Sequence, residues 1–275
     1  MSDNFVTSNY PRIGVVKTDG TLLVNGGMLK AHYVAQRTAV RQTALAGNRI
    51  GALTTDGTAW VKADDDLKSG DWINEATGVR QLVLDGDRIA IVSTDGTTMV
   101  KEGGLDAAFK PQRDKVKQVA LAGDRIGVVL SDGTAWVKKG TLEAEFILQR
   151  DKVKQLALTG DRIGVLTVDG TAWVKQGDPS STDWTNEHSD VTQIVLASKR
   201  IGVLLADGRA LVKEGGLSAT WNDLGTEITQ LALTGDRLGV LSVGGAVRVW
   251  QGSLTPPFAD GPDNVVQVVL TSGTG

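Results

Sequence analysis

A short pattern recurs seven times at a nearly constant spacing along the chain. Its clearest copy, residues 155–177, reads QLALTGDRIGVLTVDGTAWVKQG. The arginine of this pattern recurs at intervals of 37 to 39 residues, at Arg12, Arg49, Arg88, Arg125, Arg162, Arg200 and Arg237. A fixed period of this length indicates a repeat architecture in which each copy is one supersecondary unit.

Within each copy, the pattern predicts three short strands joined by two tight turns. In the clearest copy, Leu156 to Leu158, Ile163 to Thr167 and Thr171 to Lys175 are the apolar runs, and Asp169-Gly170 is the second turn. Asp-Gly between apolar runs is a strong hairpin signal because glycine tolerates positive φ. A less regular fourth segment with one aromatic residue follows, so we expect four strands per repeat.

The two ends of the chain predict how the repeats are arranged. The chain enters at the second strand of a repeat, at Arg12, and leaves with a first strand, Val265 to Leu270. Together these pieces make one complete unit, whereas an open solenoid needs a polar cap at each end. We therefore predict an all-β fold, a seven-bladed β-propeller with four antiparallel strands per blade, closed by the C-terminal strand joining the N-terminal blade. Residues 1–275 then form a single domain, with residues 1–10 as a short N-terminal extension.

Composition excludes several classes of function. The chain has 275 residues, a net charge of −3 and no cysteine, so we expect no nucleic acid partner, no disulfide and no thiolate metal site. No run of 18 apolar residues is present, so we expect no membrane insertion. The first ten residues lack the basic and apolar regions of a secretory signal peptide. We expect a soluble protein, with the cytoplasm and secretion without a signal peptide both open as its location.

The sequence offers little catalytic machinery. Only His32 and His188 are present, and no nucleophile elbow or phosphate-binding glycine loop appears. We expect no enzyme, no cofactor and no metal, and we interpret His188 as a solvated loop residue. The acidic run Asp64-Asp65-Asp66 supplies oxygen ligands of the kind calcium prefers, but it lacks EF-hand spacing, so we expect a solvated loop there too.

The repeated polar and aromatic positions favour structural roles. The seven arginines fall on one rim of the ring, where they form either inter-blade hydrogen bonds and ion pairs, which we favour, or a site for an anionic ligand. Trp60, Trp136 and Trp173 occupy one strand position that other repeats fill with other bulky residues, and we expect them in the core. The lysine two residues later is expected to be a solvated strand end, at Lys62, Lys101, Lys138, Lys175 and Lys213.

The fourth segment is where the repeats differ most. Three copies place an aromatic residue before Gln-Arg, and three others place a tryptophan beside amide and acidic groups. A tryptophan face next to such groups suits a sugar, whose apolar face stacks while its hydroxyls form hydrogen bonds. The candidate ligand-binding residues are Trp72, Asn74, Glu75, Trp184, Asn186, Glu187, Trp221, Asn222 and Asp223. The alternative is that each aromatic residue seals the outer edge of its sheet.

The unit Val-x-Gln-Leu-Ala-Leu-x-Gly … Asp-Gly-Thr-x-Trp-Val resembles the tectonin repeat over essentially the whole chain. Tectonin-like proteins are propellers, and several are lectins, so the resemblance implies a multivalent carbohydrate-binding role. The tryptophan that opens a tectonin repeat is replaced here at four positions, Tyr33, Phe109, Phe146 and Phe258.

Two hypotheses follow for the function. In the first, the protein is a non-enzymatic, lectin-like propeller that binds a glycan or cell-surface saccharide through several weak, equivalent sites acting by avidity. In the second, it is a protein-protein interaction scaffold that uses one rim of the ring. Fold alone does not separate them, because propellers host many functions.

Overall fold

The structure is a computed structural model that describes residues 11–252, 254 and 258–271. These residues form 28 strands in seven antiparallel sheets of four strands each, and none of them lies in a helix. The predicted seven-bladed propeller is therefore confirmed. The predicted N-terminal extension, residues 1–10, lies outside the described residues.

Six blades are continuous in sequence, and each runs from its first strand to its fourth. Blade 2 contains β4 (Val40–Ala46), β5 (Arg49–Thr54), β6 (Ala59–Ala63) and β7 (Ile73–Ala76). Blade 3 contains β8 (Val79–Asp85), β9 (Arg88–Ser93), β10 (Thr98–Glu102) and β11 (Lys110–Arg113). Blade 4 contains β12 (Val116–Ala122), β13 (Arg125–Leu130), β14 (Ala135–Lys139) and β15 (Ile147–Arg150).

The remaining continuous blades follow the same plan, with shorter fourth strands in the last two. Blade 5 contains β16 (Val153–Leu158), β17 (Arg162–Thr167), β18 (Ala172–Gln176) and β19 (Thr185–His188). Blade 6 contains β20 (Val191–Ala197), β21 (Arg200–Leu205), β22 (Ala210–Glu214) and β23 (Asn222–Asp223). Blade 7 contains β24 (Ile228–Leu233), β25 (Arg237–Ser242), β26 (Val247–Gln251) and β27 (Ala259–Asp260).

Blade 1 is assembled from both ends of the chain. Its strands are β1 (Arg12–Lys17), β2 (Leu22–Gly26), β3 (Val34–Arg37) and, in the first position, β28 (Val265–Leu270). β28 pairs with β1 in an antiparallel register that places Val268 opposite Val15. The predicted closure by the C-terminal strand is confirmed, and both ends of the described chain are held in one hydrogen-bonded sheet.

The Asp-Gly motif forms the turn between second and third strands. In blade 2, Asp56 Oδ1 accepts hydrogen bonds from the Thr58 amide at 2.9 Å and from Thr54 Oγ1 at 2.6 Å. Gly57 then adopts a φ of 83°, a conformation that side-chain-bearing residues rarely take. The aspartate and glycine therefore serve the turn itself.

Alternating chain direction gives the ring two different faces. The loop face carries the turns between first and second strands and the longer loops between third and fourth strands. The two are joined within a blade, as where the Gly177 amide donates to the Asp161 carbonyl at 2.7 Å. The turn face carries the Asp-Gly turns and the short connections from each fourth strand to the next first strand.

A glutamine in each first strand joins neighbouring blades. Gln155 Nε2 donates to the Ile194 carbonyl at 3.0 Å, and its Oε1 accepts from the Ile194 amide at 2.9 Å. The side-chain amide thus pairs with a backbone unit of the next blade as another strand would. The same paired contact runs around the whole ring, through Gln42, Gln81, Gln118, Gln155, Gln193, Gln230 and Gln267.

The core lies between blades, and glycine allows their close approach. A Cβ atom placed on Gly127 of β13 would lie 2.5 Å from the Leu156 side chain of the next blade. At the equivalent position of blade 3, Ala90 replaces the glycine and packs in one buried cluster with the smaller Val119. Volume is therefore balanced between blades at this contact.

Three expectations about polar residues are wrong. The five lysines expected to be solvated are at most 4% exposed, because their ammonium groups turn inward onto carbonyl oxygens or carboxylates. Asp64, expected in a solvated loop, is 3% exposed because its carboxylate lies 2.6 Å from Lys62 Nζ. His188 also differs from expectation, since it lies in β19, half-buried, with its ring edge toward Trp221.

Candidate functional site

The seven repeated arginines lie beneath the loop face and reach across to the next blade. Arg88 Nη2 donates to the Gly140 carbonyl at 2.7 Å, and Arg49 Nη1 donates to the Asp87 carbonyl at 2.7 Å. Arg125 makes the corresponding contact with the Gly177 carbonyl, and Arg237 closes the ring onto Gly27. Except for Arg49, these residues are at most 4% exposed.

Burial lowers the pKa of three of these guanidinium groups, those of Arg12, Arg125 and Arg237. At Arg125, the nearby Asp124 and Asp161 carboxylates offset part of that effect. Arg200 also has a carboxylate partner in its own blade, because its Nε donates to Glu214 Oε2 at 3.1 Å. The arginines thus face carbonyl and carboxylate oxygens of the protein itself.

The three tryptophans predicted to stack on a sugar are half-buried and contact cations. Lys175 Nζ lies 5.1 Å from the ring centroid of Trp184, and Arg150 of the preceding blade lies 5.7 Å from it. Trp72 has the same kind of neighbours, with Lys62 at 5.7 Å and Arg37 at 5.3 Å. Each contact is within the range of a cation–π interaction.

The predicted acidic partners of two tryptophans lie in buried ion pairs. Glu75 Oε2 is 2.5 Å from Lys101 Nζ of the next blade, and Glu187 pairs in the same way with Lys213. The side chains of both glutamates are at most 2% exposed. By contrast, Asn74, Asn186, Asn222 and Asp223 point to solvent along the outer strands. The structure therefore separates each glutamate from the asparagine that precedes it.

Blades 4 and 5 lack this carboxylate. The preceding blades present Gln112 and Gln149 in its place, and the Oε1 atoms of both are buried without a partner. Lys175 instead donates to the Pro179 carbonyl at 2.8 Å and to the Ser181 carbonyl at 2.5 Å. Burial, with a further contribution from Arg125, lowers the pKa of Lys175 to about 8.

One set of contacts was not foreseen from the sequence. Arginines of the fourth strands stack on the tryptophans Trp60, Trp136 and Trp173 in the third strand of the next blade. The guanidinium carbons of Arg37, Arg113 and Arg150 lie 4.0, 4.1 and 4.2 Å from the respective ring centroids. Each arginine precedes its tryptophan by 23 residues, and Ala76 and His188 precede Met99 and Leu211 by the same distance. An arginine at the first position is thus found where a tryptophan follows 23 residues later, and this co-occurrence is the sequence signal that identifies the stacked pair.

The exposed loops of the loop face are strongly acidic. The segments between strands on this face hold thirteen acidic and three basic side chains, a formal charge of −10 in a chain whose total is −3. The acidic residues are Asp64, Asp65, Asp66, Asp71, Asp87, Asp106, Asp124, Glu143, Glu145, Asp161, Asp178, Asp183 and Asp236. Apart from Asp64 and the half-buried Asp236, all of them are exposed.

The central channel opens within this acidic rim. A cavity of about 1070 Å³ lies at the mouth. Its lower wall is a collar of leucines, Leu45, Leu121, Leu158, Leu196, Leu233 and Leu270. The carboxylates of Asp65, Asp85 and Asp161 lie above it, and no described residue of the lining is basic. The mouth therefore combines an apolar collar with a negative rim.

Two further features concern metals and membranes. Among the residues that the structure describes, no three His, Cys, Asp or Glu side chains are grouped so that they could hold a metal ion. Within the same residues, no helix is long and apolar enough to cross a membrane.

Comparison with known proteins places the chain by its fold. No protein-family model and no curated protein matches the sequence. Prp20p from Saccharomyces cerevisiae, studied for its binding to Gsp1p and histones, superposes with a TM-score of 0.68 at 11% identity, over 97% of this chain and 86% of that chain. Yeast RCC1 (Prp20) in complex with Kap60 gives a TM-score of 0.70 at 11% identity, over 88% of this chain and 78% of that chain. Human WBSCR16 gives 0.63 at 12% identity, over 88% of each chain. At these identities the likeness shows a shared propeller fold, and the tectonin resemblance stays a prediction.

Proposed function

We propose that this protein is a protein-protein interaction scaffold that docks partners on its loop face. The observation that carries the proposal is the excess of exposed carboxylates on the loop face, into which the channel opens. A rim of one charge sign attracts partners of the opposite sign and orients them during encounter. The expected partner is therefore a basic protein segment.

The channel mouth adds an apolar contact surface to the electrostatic attraction of the rim. The leucine collar lies within the acidic rim, so a basic segment bound to the rim brings its apolar side chains toward the collar. Buried apolar contact of this kind usually carries more binding energy than rim charges, which mainly set the rate and the salt dependence. The buried arginines beneath the rim weaken its field at long range, so the attraction acts mainly at contact distance.

The structural neighbours support a docking role. Prp20p is described with its binding to Gsp1p and histones, and the same yeast protein is seen bound to Kap60. A protein with the same propeller architecture therefore docks other proteins. Since fold does not determine function, the proposal for this chain rests on its own loop-face charges.

A charge-removal experiment tests the proposal. The triple variant Asp106→Asn, Glu145→Gln, Asp183→Asn removes three exposed loop-face charges, and the matched control Asp114→Asn, Asp151→Asn, Asp190→Asn removes three from the turn face. The probe is a fluorescent ten-residue peptide of lysine with two leucines, measured by anisotropy at several salt concentrations. We expect the loop-face variant to weaken binding about tenfold and the control to leave it unchanged. No binding, or equal weakening by both variants, would contradict the proposal.

The arginine ring belongs to the framework in this proposal, because each guanidinium contacts oxygens of the next blade. The substitution Arg125→Gln removes the guanidinium contact with the Gly177 carbonyl and leaves that part-buried acceptor without its donor. It should lower the unfolding midpoint in urea while leaving affinity for the basic peptide unchanged at temperatures where the variant is folded. Reduced affinity in a fully folded variant would instead assign the arginines to the docking surface.

Carbohydrate binding remains the second candidate function. Asn74, Asn186, Asn222 and Asp223 are exposed beside half-buried tryptophans, so they supply donors and acceptors next to an aromatic edge. The measurement is a glycan array at high protein density, which detects weak multivalent sites. Binding that is lost on Asn186→Ala and Asn222→Ala would support a lectin, and an array without signal would exclude it for the glycans displayed.

A further inference from the structure

The turn face lies at the end of the channel opposite the acidic rim, and it has a feature unrelated to the proposed docking surface. The first strand of every blade contains a β-bulge, at which one residue has no register partner in the second strand. The bulged residues are Arg41, Arg80, Lys117, Lys154, Thr192, Thr229 and Val266, in order around the ring from blade 2 to blade 1. Bulges re-aim side chains and are common at the rims of closed sheets.

These residues surround the channel axis. The first strands of successive blades contact one another around the whole ring, so they are its innermost strands. A residue at the start of a first strand therefore lies at the turn-face mouth of the channel. Four consecutive blades place a cation there, and the other three place threonine, threonine and valine.

Hydrogen bonds to backbone carbonyls link three of the four cations of this arc, Arg41, Arg80 and Lys117, in order around the ring. Arg41 Nη2 donates to the Val79 carbonyl at 3.0 Å, directly before Arg80 in the next blade. Arg80 Nη1 in turn donates to the Lys117 carbonyl at 2.9 Å. Arg41, Lys117 and Lys154 are exposed, and the ammonium groups of the two lysines make no hydrogen bond or ion pair with any described residue. Arg41, Lys117 and Lys154 thus present positive charge at the surface, whereas the half-buried Arg80 donates to the carbonyls of Ser93, Lys117 and Val116.

More lysines reinforce the arc where the sequence repeats itself. The pentapeptide Arg-Asp-Lys-Val-Lys occurs at residues 113–117 and again at 150–154. Lys115 and Lys152 within it are exposed, next to the bulged Lys117 and Lys154.

Acidic groups also occur on this face, but they lie farther from the axis. Asp114 and Asp151 belong to the connections from the fourth strands, and Asp95, Asp132 and Asp169 belong to the Asp-Gly turns between second and third strands. Strands in a sheet are about 4.8 Å apart, so within their own blade these turns lie roughly one to two strand spacings outward. Each turn also contacts the start of the next blade's first strand, as where the Val116 amide donates to the Gly96 carbonyl at 3.0 Å. Asp95, Asp132 and Asp169 accept hydrogen bonds from their own turns, at 2.8, 2.9 and 3.0 Å from backbone amides. The resulting pattern is a cationic inner arc within an anionic outer ring.

We propose that this arc binds a compact anion carrying several phosphate groups. Arginine and lysine together suit phosphate, which accepts hydrogen bonds from several directions and carries high charge. The anionic outer ring repels an extended polyanion, which would have to cross it, so a small ligand seated over the channel mouth is favoured over nucleic acid. This site is independent of the loop-face docking surface, because the two lie at opposite ends of the channel.

Isothermal titration calorimetry of the full chain with inorganic triphosphate tests the site. We expect saturable binding that weakens with salt, and about tenfold weaker binding by the double variant Lys117→Gln, Lys154→Gln. The control Lys68→Gln, Lys199→Gln removes two exposed lysines from the loop face and should bind as the unmodified protein does. Equal affinity for the unmodified protein and the arc variant, or equal loss in the control, would overturn the proposal.

A variant that adds a cation tests the site without removing any cation, so weaker binding through local loss of structure does not enter its interpretation. Val266 is the bulged residue next to Arg41 in the ring and is 54% exposed, so Val266→Lys extends the arc to five cations. We expect triphosphate to bind about threefold more tightly to this variant. Unchanged affinity, or tighter binding of a single-stranded oligonucleotide than of triphosphate, would count against a compact phosphate site.

Discussion

The residue before each first strand has a positive φ in all seven blades. Its φ lies between 54° and 65° at Ala39, Gly78, Lys115, Lys152, Asp190, Glu227 and Asn264. Only one of these residues is glycine, although the left-handed conformation costs other residues roughly 1–2 kcal/mol. The conformation is imposed by the ring, because the carbonyl at this position accepts a hydrogen bond, as from Thr55 to Ala39 at 2.8 Å.

The substitution Ala39→Gly should therefore stabilise the protein. Glycine adopts the left-handed conformation without strain, which stabilises the folded state. Its greater freedom in the unfolded chain offsets part of that gain, so we expect a net increase of about 0.5–1 kcal/mol in the free energy of unfolding. The reverse substitution at the equivalent position of the next blade, Gly78→Ala, is the matched control and should destabilise by a similar amount. Both are measured by urea unfolding, and effects of the same sign would contradict the explanation.

Lys175 is a buried ammonium without a carboxylate partner, and its effect on stability should depend on pH. Because the fold lowers its pKa to about 8, the unfolded chain holds one more proton between pH 8 and the ordinary lysine value near 10.5. Stability contributed by this site therefore rises through that window, and the full cost of the buried charge is present below pH 8.

Comparison with the variant Lys175→Met isolates this effect. From pH 7 to pH 10 the free energy of unfolding of the unmodified protein should rise relative to the variant by about 1–2 kcal/mol, allowing for solvent screening. Lys154→Met, which removes an exposed lysine, controls for net charge. A difference between the protein and Lys175→Met that does not change with pH would contradict the prediction.

At the scale of the element, blades are matched to their neighbours in side-chain volume. Gly127 faces Leu156 of the next blade, and 37 residues earlier Ala90 faces Val119. The substitution Gly127→Ala introduces a methyl group 2.5 Å from a leucine carbon, so it should cost about 1–3 kcal/mol.

A second substitution tests whether volume is the reason. Adding Leu156→Val reproduces the Ala90 and Val119 pair, and the double variant should recover at least half of the lost stability although Leu156→Val alone is destabilising. The measurement is a double-mutant cycle in urea. Additive losses would show that the two positions are not coupled.

Contacts with the next blade also determine the roles of the fourth-strand side chains. Glu75 and Glu187 were predicted as sugar ligands from the residues beside them in sequence, but their partners are Lys101 and Lys213 of the following blades. Local sequence shows which residues are adjacent along a strand, and it does not show which side of the strand faces the next blade. Asn74 and Asn186 face outward, since neighbours in a strand alternate in direction.

At the scale of the whole molecule, the ring depends on β28. This strand supplies the first position of blade 1, and Gln267 joins it to Thr43 of blade 2. A chain truncated after residue 264 should therefore lose cooperative unfolding and expose apolar surface, because Val15 and its neighbours lose the strand that covers them.

Complementation makes this a test of closure. Adding a synthetic peptide of residues 262–275 to the truncated chain should restore the circular dichroism and the urea midpoint in a concentration-dependent way. A peptide with Gln267→Ala should require a higher concentration. A truncated chain as stable as the complete one would show that closure by this strand does not hold the ring together.

The sequence by itself determined the architecture of this protein. A period near 37 residues, an Asp-Gly turn in six of seven copies and complementary termini were sufficient for seven four-stranded blades and their closure, because these signals are local or periodic. The tertiary structure decided where the polar side chains point. The lysines at strand ends turned out to be buried, the glutamates to be ion-paired, and the glutamines and arginines to join neighbouring blades. The glutamate, glutamine and arginine contacts join neighbouring blades, mostly between residues about 26 to 54 positions apart. The lysines turn onto carbonyl oxygens only four to seven residues further along the chain. The charge of each face likewise appears only when the loops of seven blades are brought to one end of a ring.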